Sequence, residues 1–238
     1  MADSLELSID TASELASIAL SHQGALLAEL TWHCGRDHAR QLLPAVDGLL
    51  ARYEATKDDL TAVFVCIGPG SYAGVRSGVS TAKGLAFALE RPLVGVGRLE
   101  IEAYAFAATG APVVAVHRAG RAELAWAAYD PGTRNQEPGT RPLPSQEDWR
   151  ELVPPRLSTT DALLADLPRG ALVTGEVDDA LAAQLTERGH RVVRGAATVR
   201  RAALLAELGW RRLQAGRTDD PKSLVPLYLR EPAIGPQQ

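Results

Sequence analysis

The segment that most constrains this chain is a glycine-rich turn, GPGSYAGVRSG, at residues 68–78. It follows an apolar run at residues 62–67, which predicts a buried strand, and it opens a stretch with helical spacing. Gly68 and Gly70 permit backbone conformations that side chains forbid, and the free N–H groups from Ser71 onward would lie at the positive end of the helix, where an anion can bind. The alternative is a tight strand-to-helix turn whose glycines serve packing only. The turn alone leaves both interpretations open.

The hydrophobic pattern around this turn predicts an ordered series of elements. Strands are predicted at residues 5–9, 17–20, 25–32, 62–67 and 92–96, and helices at residues 37–53 and 71–89. Pro44 lies inside the first helix and predicts a late start or a kink there. Three strands, a helix, a strand, a helix and a strand is the order of a ribonuclease-H-like unit, a mixed sheet with helices packed on it.

The second half of the chain predicts a shorter version of the same series. Strands are predicted at residues 112–116, 122–129, 171–174 and 191–193, helices at 178–188 and 199–215, a loop at 130–144 and an extended tail at 221–230. We therefore predict an α/β fold whose second lobe is a degenerate copy of the first. The boundary is expected in a helix near residues 99–109, which gives an N-terminal lobe at 1–108 and a C-terminal lobe at 109–238.

Composition excludes several classes of protein. The net charge of -4 and an aromatic content of 5% give no sign of a basic, stacking surface for direct nucleic-acid binding. Cys34 and Cys66 lack the spacing of a zinc site. No segment approaches the roughly 20 apolar residues of a membrane span, and the N-terminus does not resemble a signal peptide. We expect no membrane contact and a cytoplasmic location.

The acidic residue Asp10 ends the first predicted strand, followed by Thr11. A carboxylate at this position can coordinate a metal–phosphate complex, although a strand-ending Asp also commonly caps a turn. Adjacent strands would bring it near the glycine turn. The candidate nucleotide- or anion-binding set is therefore Asp10, Thr11, Gly68, Gly70 and Ser71.

Three stretches carry a family resemblance: LSIDTASELASIAL at residues 7–20, GRDHARQLLPAVDGLL at 35–50 and the run from 62 to 96 that contains the glycine turn. They resemble, in order, the TsaB (YeaZ) family of the bacterial machinery for tRNA threonylcarbamoyladenosine (t6A). The tail VPLYLR at 225–230 also resembles the ending of that family.

The resemblance implies a two-lobed fold of the actin, sugar kinase and Hsp70 class. It also implies a role beside TsaD, the related subunit that transfers threonylcarbamoyl to the adenosine next to the anticodon. TsaE, an ATPase, is the further partner that the resemblance implies, and tRNA would be reached only through the complex.

The resemblance also predicts that this chain lacks a catalytic site. TsaD-like proteins carry a His-x-x-x-His pair after the strand that follows the glycine turn, and Arg98 and Glu102 stand there in this chain. An arginine cannot ligate a cation, so the pair is predicted to be a surface ion pair. His117 stands where relatives commonly have Asp, and Gly175 lacks a paired glycine. We predict no catalytic residue, no metal and no tightly bound cofactor, with ATP or ADP at a subunit interface as the one cofactor left open.

The second helix predicts a partner surface because it is apolar over most of its circumference. One face covers the sheet, and a second face of small residues lets another helix approach closely. The neighbour is either the first helix of the same chain or a partner, and the resemblance favours TsaD or a second copy of this chain. The predicted partner interface, with two residues of the first helix included, comprises His38, Leu42, Gly74, Val75, Gly78, Val79, Ala82 and Leu85.

Two other functions remain open from the residues alone. The glycine turn and Asp10 also fit an autonomous ATP-dependent phosphotransferase of the sugar-kinase class. Ser71 with His38 would be the pair of a peptidase, but Ser71 lacks the Gly-x-Ser-x-Gly elbow. Against both stands the favoured prediction, a non-catalytic scaffold or activating subunit for tRNA modification.

Overall fold

The computed structural model describes residues 4–120, 123–132 and 149–230. The first half forms a five-stranded sheet with the strand order β3-β2-β1-β4-β5. Its elements are β1 (Leu5–Asp10), β2 (Leu15–His22), β3 (Ala25–His33), α1 (His38–Arg52), β4 (Leu60–Cys66), α2 (Tyr72–Ala88), β5 (Leu93–Val96) and α3 (Arg98–Tyr104). The first three strands are antiparallel, and β4 and β5 run parallel to β1. The element order predicted from the sequence is confirmed.

The second half forms another five-stranded sheet, with the order β10-β9-β6-β7-β8. Its elements are β6 (Val113–Arg118), β7 (Leu124–Asp130), β8 (Arg150–Ser158), α4 (Thr160–Asp166), β9 (Leu172–Gly175), α5 (Asp179–Glu187), β10 (Arg191–Val192) and α6 (Ala202–Gln214). β6 pairs antiparallel with β7 and parallel with β9, as β1 pairs with β2 and β4. The two sheets therefore share one topology, and the predicted fold of two ribonuclease-H-like lobes is confirmed.

Two elements of the second half were not anticipated. β8 and α4 lie in a region where the sequence pattern predicted neither strand nor helix. β8 contains Pro154 and Pro155, which cannot donate to a strand ladder, and the strand is tolerated because it lies at the sheet edge. Most of the loop predicted at residues 130–144 lies outside the described residues.

Helix α1 corrects one detail of the sequence prediction. The helix begins at His38 and runs through Pro44 to Arg52, so it does not start late, and the alternative of a kink at Pro44 stays a prediction. Its apolar stripe, which includes Leu42 and Val46, is buried against the first sheet.

Helix α3 lies between the two sheets and is apolar on both sides. Ile101 and Tyr104 belong to the core of the first sheet, and Leu99 and Ala103 belong to a second core built on β6 and β7. Such a helix must be buried on more than one side. The two halves of the chain therefore share this helix as a common layer.

The last helix, α6, packs on the first sheet, although it follows the second in the chain. Leu205 and Leu208 of α6 lie in the first core, and Gly209 approaches Phe64 so closely that a Cβ would lie 2.3 Å from its ring. The lobe boundary at residue 108 stays a prediction. Helix α6 lies after that boundary in the chain but packs with the first lobe. This return brings residues just before α6 onto one face of β1.

The C-terminal segment runs back along the first lobe as an extended strap. Asp219 N–H donates to the Leu93 carbonyl at 2.8 Å, and Leu227 N–H donates to the Ile67 carbonyl at 2.7 Å. Lys83 Nζ reaches the Leu224 carbonyl at 2.8 Å. The predicted return of the tail to the body of the protein is confirmed, and the strap ends beside the glycine turn.

The described ranges contain no helix with both the length and the apolar character needed to cross a membrane. Cys34 and Cys66 are both buried free thiols.

Candidate functional site

The glycine turn packs against the connection between β1 and β2. Gly68 has a φ of 95°, which an L side chain rarely adopts. A Cβ on Gly70 would lie 2.1 Å from the Ala12 carbonyl oxygen, and Ser71 N–H donates to that oxygen at 2.8 Å. Gly68 therefore needs glycine because of its positive φ, and Gly70 needs it because two backbone segments approach closely. One of the turn's N–H groups is already used inside the protein.

Ser71 and His38 do not form a nucleophile–base pair. Ser71 Oγ accepts the Gly74 N–H at 3.4 Å and caps α2. His38 Nε2 is hydrogen-bonded to the Ser13 carbonyl oxygen at 2.8 Å, which fixes this nitrogen as the donor. Within the described residues no hydrogen bond joins the two side chains, so the geometry does not support a peptidase.

Asp10 lies on the face of β1 that α6 covers. β1 alternates, so Glu6, Ser8 and Asp10 share one face. The Glu6 carboxylate accepts the N–H groups of Gln23 and Gly24, and this holds the β2–β3 turn on the same face. Gly24 in turn packs against Trp210 of α6. The alternation therefore places Asp10 under the segment that leads into α6.

Arg200, from that segment, closes over Asp10. Arg200 Nε donates to Asp10 Oδ2 at 2.8 Å, and Nη2 donates to Ser13 Oγ at 2.8 Å. The Asp10 and Arg200 side chains are 1% and 8% exposed, so the pair is sealed from solvent. Burial alone would raise the pKa of Asp10, but the charge and hydrogen bond of Arg200 outweigh it and hold this pKa below its ordinary value. Burial lowers the pKa of Arg200, but the negative charges of Asp10 and Glu102 raise it by more. Asp10 and Arg200 are therefore both ionised.

The ion pairs continue from Arg200 across the boundary between the sheets. Arg200 Nη1 lies 3.3 Å from Glu102 Oε1, and Arg98 Nε lies 2.8 Å from the same oxygen. Arg98 Nη2 then reaches Glu176 Oε1 at 2.7 Å, and His117 Nδ1 lies 3.0 Å from that oxygen. We call this series the charge ladder: Asp10, Arg200, Glu102, Arg98, Glu176 and His117.

The charge ladder corrects the interpretation of Arg98 and Glu102. The predicted ion pair is present, but it is buried rather than on the surface, with the two side chains 2% and 4% exposed. Burial would raise the pKa of Glu176, but the His117 hydrogen bond and the Arg98 charge hold it far below its ordinary range. The ladder thus ties β1 and α3 to β6 and the end of β9 through buried ion pairs and hydrogen bonds.

Helix α2 places most of the predicted partner residues inside the protein. A Cβ on Gly74 would lie 2.2 Å from the Thr11 carbonyl oxygen, and one on Gly78 would lie 2.3 Å from Thr11 Oγ1. Thr11 Oγ1 also donates to the Gly74 carbonyl at 2.7 Å. The small residues of α2 therefore admit the β1–β2 connection of the same chain.

Seven of the eight predicted interface residues are buried within this chain, so they do not form the exposed face that the prediction assumed; the partner interface itself stays a prediction. His38, Leu42, Gly74, Val75, Gly78, Val79 and Ala82 are buried, and Leu85 is half-buried. The alternative weighed from the sequence was that the first helix of the same chain covers this face; in the structure the β1–β2 connection lies against Gly74 and Gly78, and His38 of α1 lies beside Gly74. The helical periodicity identified two faces but not which of them turns inward.

Another stripe of α2 is open to solvent, and we call it the outer face of α2. It consists of Ala73, Arg76, Ser80, Gly84 and Phe87. Phe87 is 62% exposed, and a Cβ on Gly84 would meet nothing within 4 Å. An exposed phenylalanine beside small residues and glycine is a surface that another helix can approach closely.

A cleft of about 350 Å³ opens between the glycine turn, the β6–β7 hairpin and the C-terminal strap. Of the five residues predicted to bind a nucleotide or anion, only Gly70 lines it. Tyr72 is stacked on Tyr228 with ring centroids 5.3 Å apart, and the Arg76 guanidinium lies 5.2 Å from the Tyr72 centroid. The arginines at the rim are paired, Arg118 with Asp178 at 3.2 Å and Arg230 with Glu123.

The predicted nucleotide site is therefore not assembled as one open pocket. Asp10 and Thr11 are buried, Gly68 and Gly70 pack against backbone, and Ser71 caps its own helix. Within residues 4–120, 123–132 and 149–230, no group of three or more His, Cys, Asp or Glu side chains converges in a way that could hold a metal ion. Arg200, the residue that closes the site, was missed because it stands far from Asp10 in the sequence.

Comparisons with known proteins agree with this architecture. The family model of TsaD, tRNA N6-adenosine threonylcarbamoyltransferase, matches residues 32–139. The tRNA threonylcarbamoyladenosine biosynthesis protein TsaB of Escherichia coli is 38% identical over 125 residues, which cover 52% of this chain and 54% of that protein. The chain thus spans about half the length of this named relative.

Longer matches cover nearly the whole chain. An uncharacterized protein of Mycobacterium tuberculosis is 30% identical over 232 residues, covering 97% of this chain and 93% of that protein. The solved structure of YeaZ from Pseudomonas aeruginosa is 25% identical, with a TM-score of 0.74, and covers 95% of this chain and 100% of that one.

Proposed function

The chain belongs to the TsaB (YeaZ) family, and we propose that it is a non-catalytic subunit that binds TsaD and supports threonylcarbamoyl transfer to the adenosine beside the anticodon in tRNA. The observation that carries this proposal is the sealed pair of Asp10 and Arg200. The carboxylate best placed to hold a metal–phosphate complex is already neutralised by a buried guanidinium. A carboxylate that is paired in this way is not free to bind the metal ion or the substrate.

The proposed partner is supported by the relationship between the two proteins. Residues 32–139 of this chain match the family model of TsaD, and this range includes α1 and α2. Chains of one fold can pair through equivalent surfaces, much as identical copies do across a two-fold axis. We therefore propose that the outer face of α2 and the adjoining α1 meet the same region of TsaD.

The same surface suits a second copy of this chain when TsaD is absent. A homodimer and the TsaD complex would then compete for one face, so that adding TsaD dissolves the homodimer. TsaE is the proposed further partner, and contacts with tRNA are proposed to come through the complex. Any ATP or ADP would be held at a subunit interface rather than by this chain alone, and the cytoplasm is the proposed site of action.

The two other functions considered from the sequence lose their geometric support. An autonomous phosphotransferase needs an accessible acidic group near the phosphates, and Asp10 is 1% exposed. A peptidase needs a base beside its serine, and His38 Nε2 is occupied by the Ser13 carbonyl.

The test is reconstitution of tRNA modification from purified components. TsaD, TsaE, the threonylcarbamoyl donor and unmodified tRNA are assayed with and without this chain, and the chain is also assayed alone. The proposal expects modification only when the chain and TsaD are both present. Turnover by the chain alone, or full modification without it, would overturn the proposal.

A further inference from the structure

The C-terminal strap follows helix α2 along its whole length. Tyr228 of the strap stacks on Tyr72 at the start of the helix, with ring centroids 5.3 Å apart. Lys222 Nζ lies 6.0 Å from the centroid of the Phe87 ring near the end of the helix, and the hydrogen bond from Lys83 to the strap lies between these two contacts. The strap and the outer face of α2 therefore form one continuous surface.

This surface, which we call the basic seam, carries positive charges without carboxylates. It consists of the outer face of α2 and residues 221–230 of the strap. Residues 72–88, which form α2, contain two basic residues and no acidic residue, and the same is true of residues 221–230. The whole chain has a net charge of -4, so the charge of the basic seam is opposite in sign to that of the protein.

Two cations of the basic seam remain available to a partner. Arg76 and Lys222 are exposed and make no ion pair within the described ranges, and each lies over an aromatic ring instead. The other two are used inside the chain, Lys83 by carbonyl groups of the strap and Arg230 by Glu123. A cation over an exposed ring keeps its charge accessible to an anion.

We propose that the basic seam docks on a carboxylate-bearing surface of TsaD, with Arg76 and Lys222 each opposite an Asp or Glu side chain. This inference rests on the proposed function, because TsaD is the partner proposed for the outer face of α2, and it adds the strap and the chemistry of the contact. Complementary charges speed association and select against wrong partners. The exposed ring of Phe87 beside Lys222 supplies an apolar anchor.

RNA is the other class of partner that cations beside aromatic rings could fit. Proteins that bind nucleic acid through its phosphates commonly contact about 6–10 of them, whereas the basic seam offers two cations without an ion pair in the part of the chain that the structure describes. The small side chains of Ser80 and Gly84 lie on the same face, and they let a protein helix approach closely. These observations favour protein carboxylates over phosphates.

The experiment measures the rate of association with TsaD and the Kd by surface plasmon resonance, at low and at high salt. The wild type is compared with Arg76→Glu, Lys222→Glu and the double variant. Arg169→Glu is the matched control, because it makes the same change of charge at an exposed residue of the other lobe. Circular dichroism establishes folding, and Arg76→Gln and Lys222→Gln, which only remove the charge, replace any Glu variant that does not fold.

Each single Glu variant should slow association with TsaD by about tenfold and the double variant by about a hundredfold, whereas Arg169→Glu should stay within about twofold of the wild type. The Gln variants should slow association in the same direction by less. Salt should slow the wild type, because it screens exposed charges. Salt should quicken the double variant, because like charges would then face each other.

A folded double variant that binds TsaD at the wild-type rate and with the wild-type salt dependence overturns the inference. The proposed function survives that result if Gly84→Glu and Phe87→Glu still block the complex, whereas a wild-type chain that does not bind TsaD overturns both. Unmodified tRNA is also titrated against the isolated chain, where the wild type and the double variant should not differ. Binding of tRNA that only the double variant loses would assign the basic seam to RNA and overturn the inference.

Discussion

Arg200 Nε lies 2.8 Å from Asp10 Oδ2, and both side chains are shielded from water. Removing one member of a buried ion pair leaves the other charge unpaired, which costs about 3–5 kcal/mol. Asp10→Ala should therefore lower the free energy of unfolding by about that amount, measured by urea denaturation. Asp37→Ala is the matched control, because Asp37 pairs with Arg40 on the surface and such pairs contribute about 0–1 kcal/mol. Equal losses in the two variants would contradict the buried role of Asp10.

The same pair predicts how stability depends on pH. The pKa of Asp10 is lower in the folded protein than its ordinary value, because Arg200 outweighs the effect of burial. Near and below pH 4 the unfolded chain therefore binds more protons at Asp10 than the folded protein does. The stability that this pair contributes is fully present above about pH 4 and is lost as the pH falls further. In urea titrations between pH 7 and pH 3, Asp10→Asn should lose less stability with acidification than the wild type. Parallel curves for the two proteins would rule out this contribution.

Two glycines of α2 provide a matched pair of substitutions in one helix. A Cβ on Gly78 would lie 2.3 Å from Thr11 Oγ1, whereas one on Gly84 meets nothing within 4 Å. Gly78→Ala should be strongly destabilising because the β1–β2 connection must move. Gly84→Ala should stabilise by about 0.5–1 kcal/mol, since alanine favours the helix interior. Thermal unfolding measures both, and effects of the same sign would mean that α2 is turned differently.

The sequence predicted features that depend on local patterns and missed those that depend on contacts between distant residues. The order of strands and helices along the first half followed from local periodicity, and the turn at Gly68 and Gly70 was recognised from residue types that need special backbone conformations. The inward side of α2 was not recognised, because Gly74 and Gly78 fit a partner helix and Thr11 of the same chain equally well. The Asp10–Arg200 pair was also missed. It depends on α6 returning to the first sheet, and no local pattern encodes a contact of that separation.

The outer face of α2 is the place to test partner binding. Gly84→Glu and Phe87→Glu put a charge on the outer face of α2, where both positions are exposed, so both variants should stay folded. If TsaD covers this stripe, each charge would be buried without a partner, and co-elution of the complex should be lost. Circular dichroism establishes folding, and size-exclusion chromatography with TsaD measures binding.

Glu187→Arg is the control for that experiment, because Glu187 is exposed on α5 of the other lobe. It should bind TsaD as the wild type does. Gly78→Glu is expected to unfold the chain instead of blocking the complex selectively. Folded Gly84→Glu and Phe87→Glu proteins that bind TsaD normally would move the partner surface away from α2.

The central claim is that the chain supports modification without using the Asp10 carboxylate chemically. The most direct measurement is the rate of tRNA modification with the double variant Asp10→Asn and Arg200→Gln, which removes both charges and leaves side chains that can still hydrogen-bond. Replacing both members of a buried pair is often tolerated, unlike the loss of one. The account predicts a folded protein that binds TsaD and supports modification at close to the wild-type rate. A folded, TsaD-binding double variant with no modification activity would contradict it and assign Asp10 a chemical role.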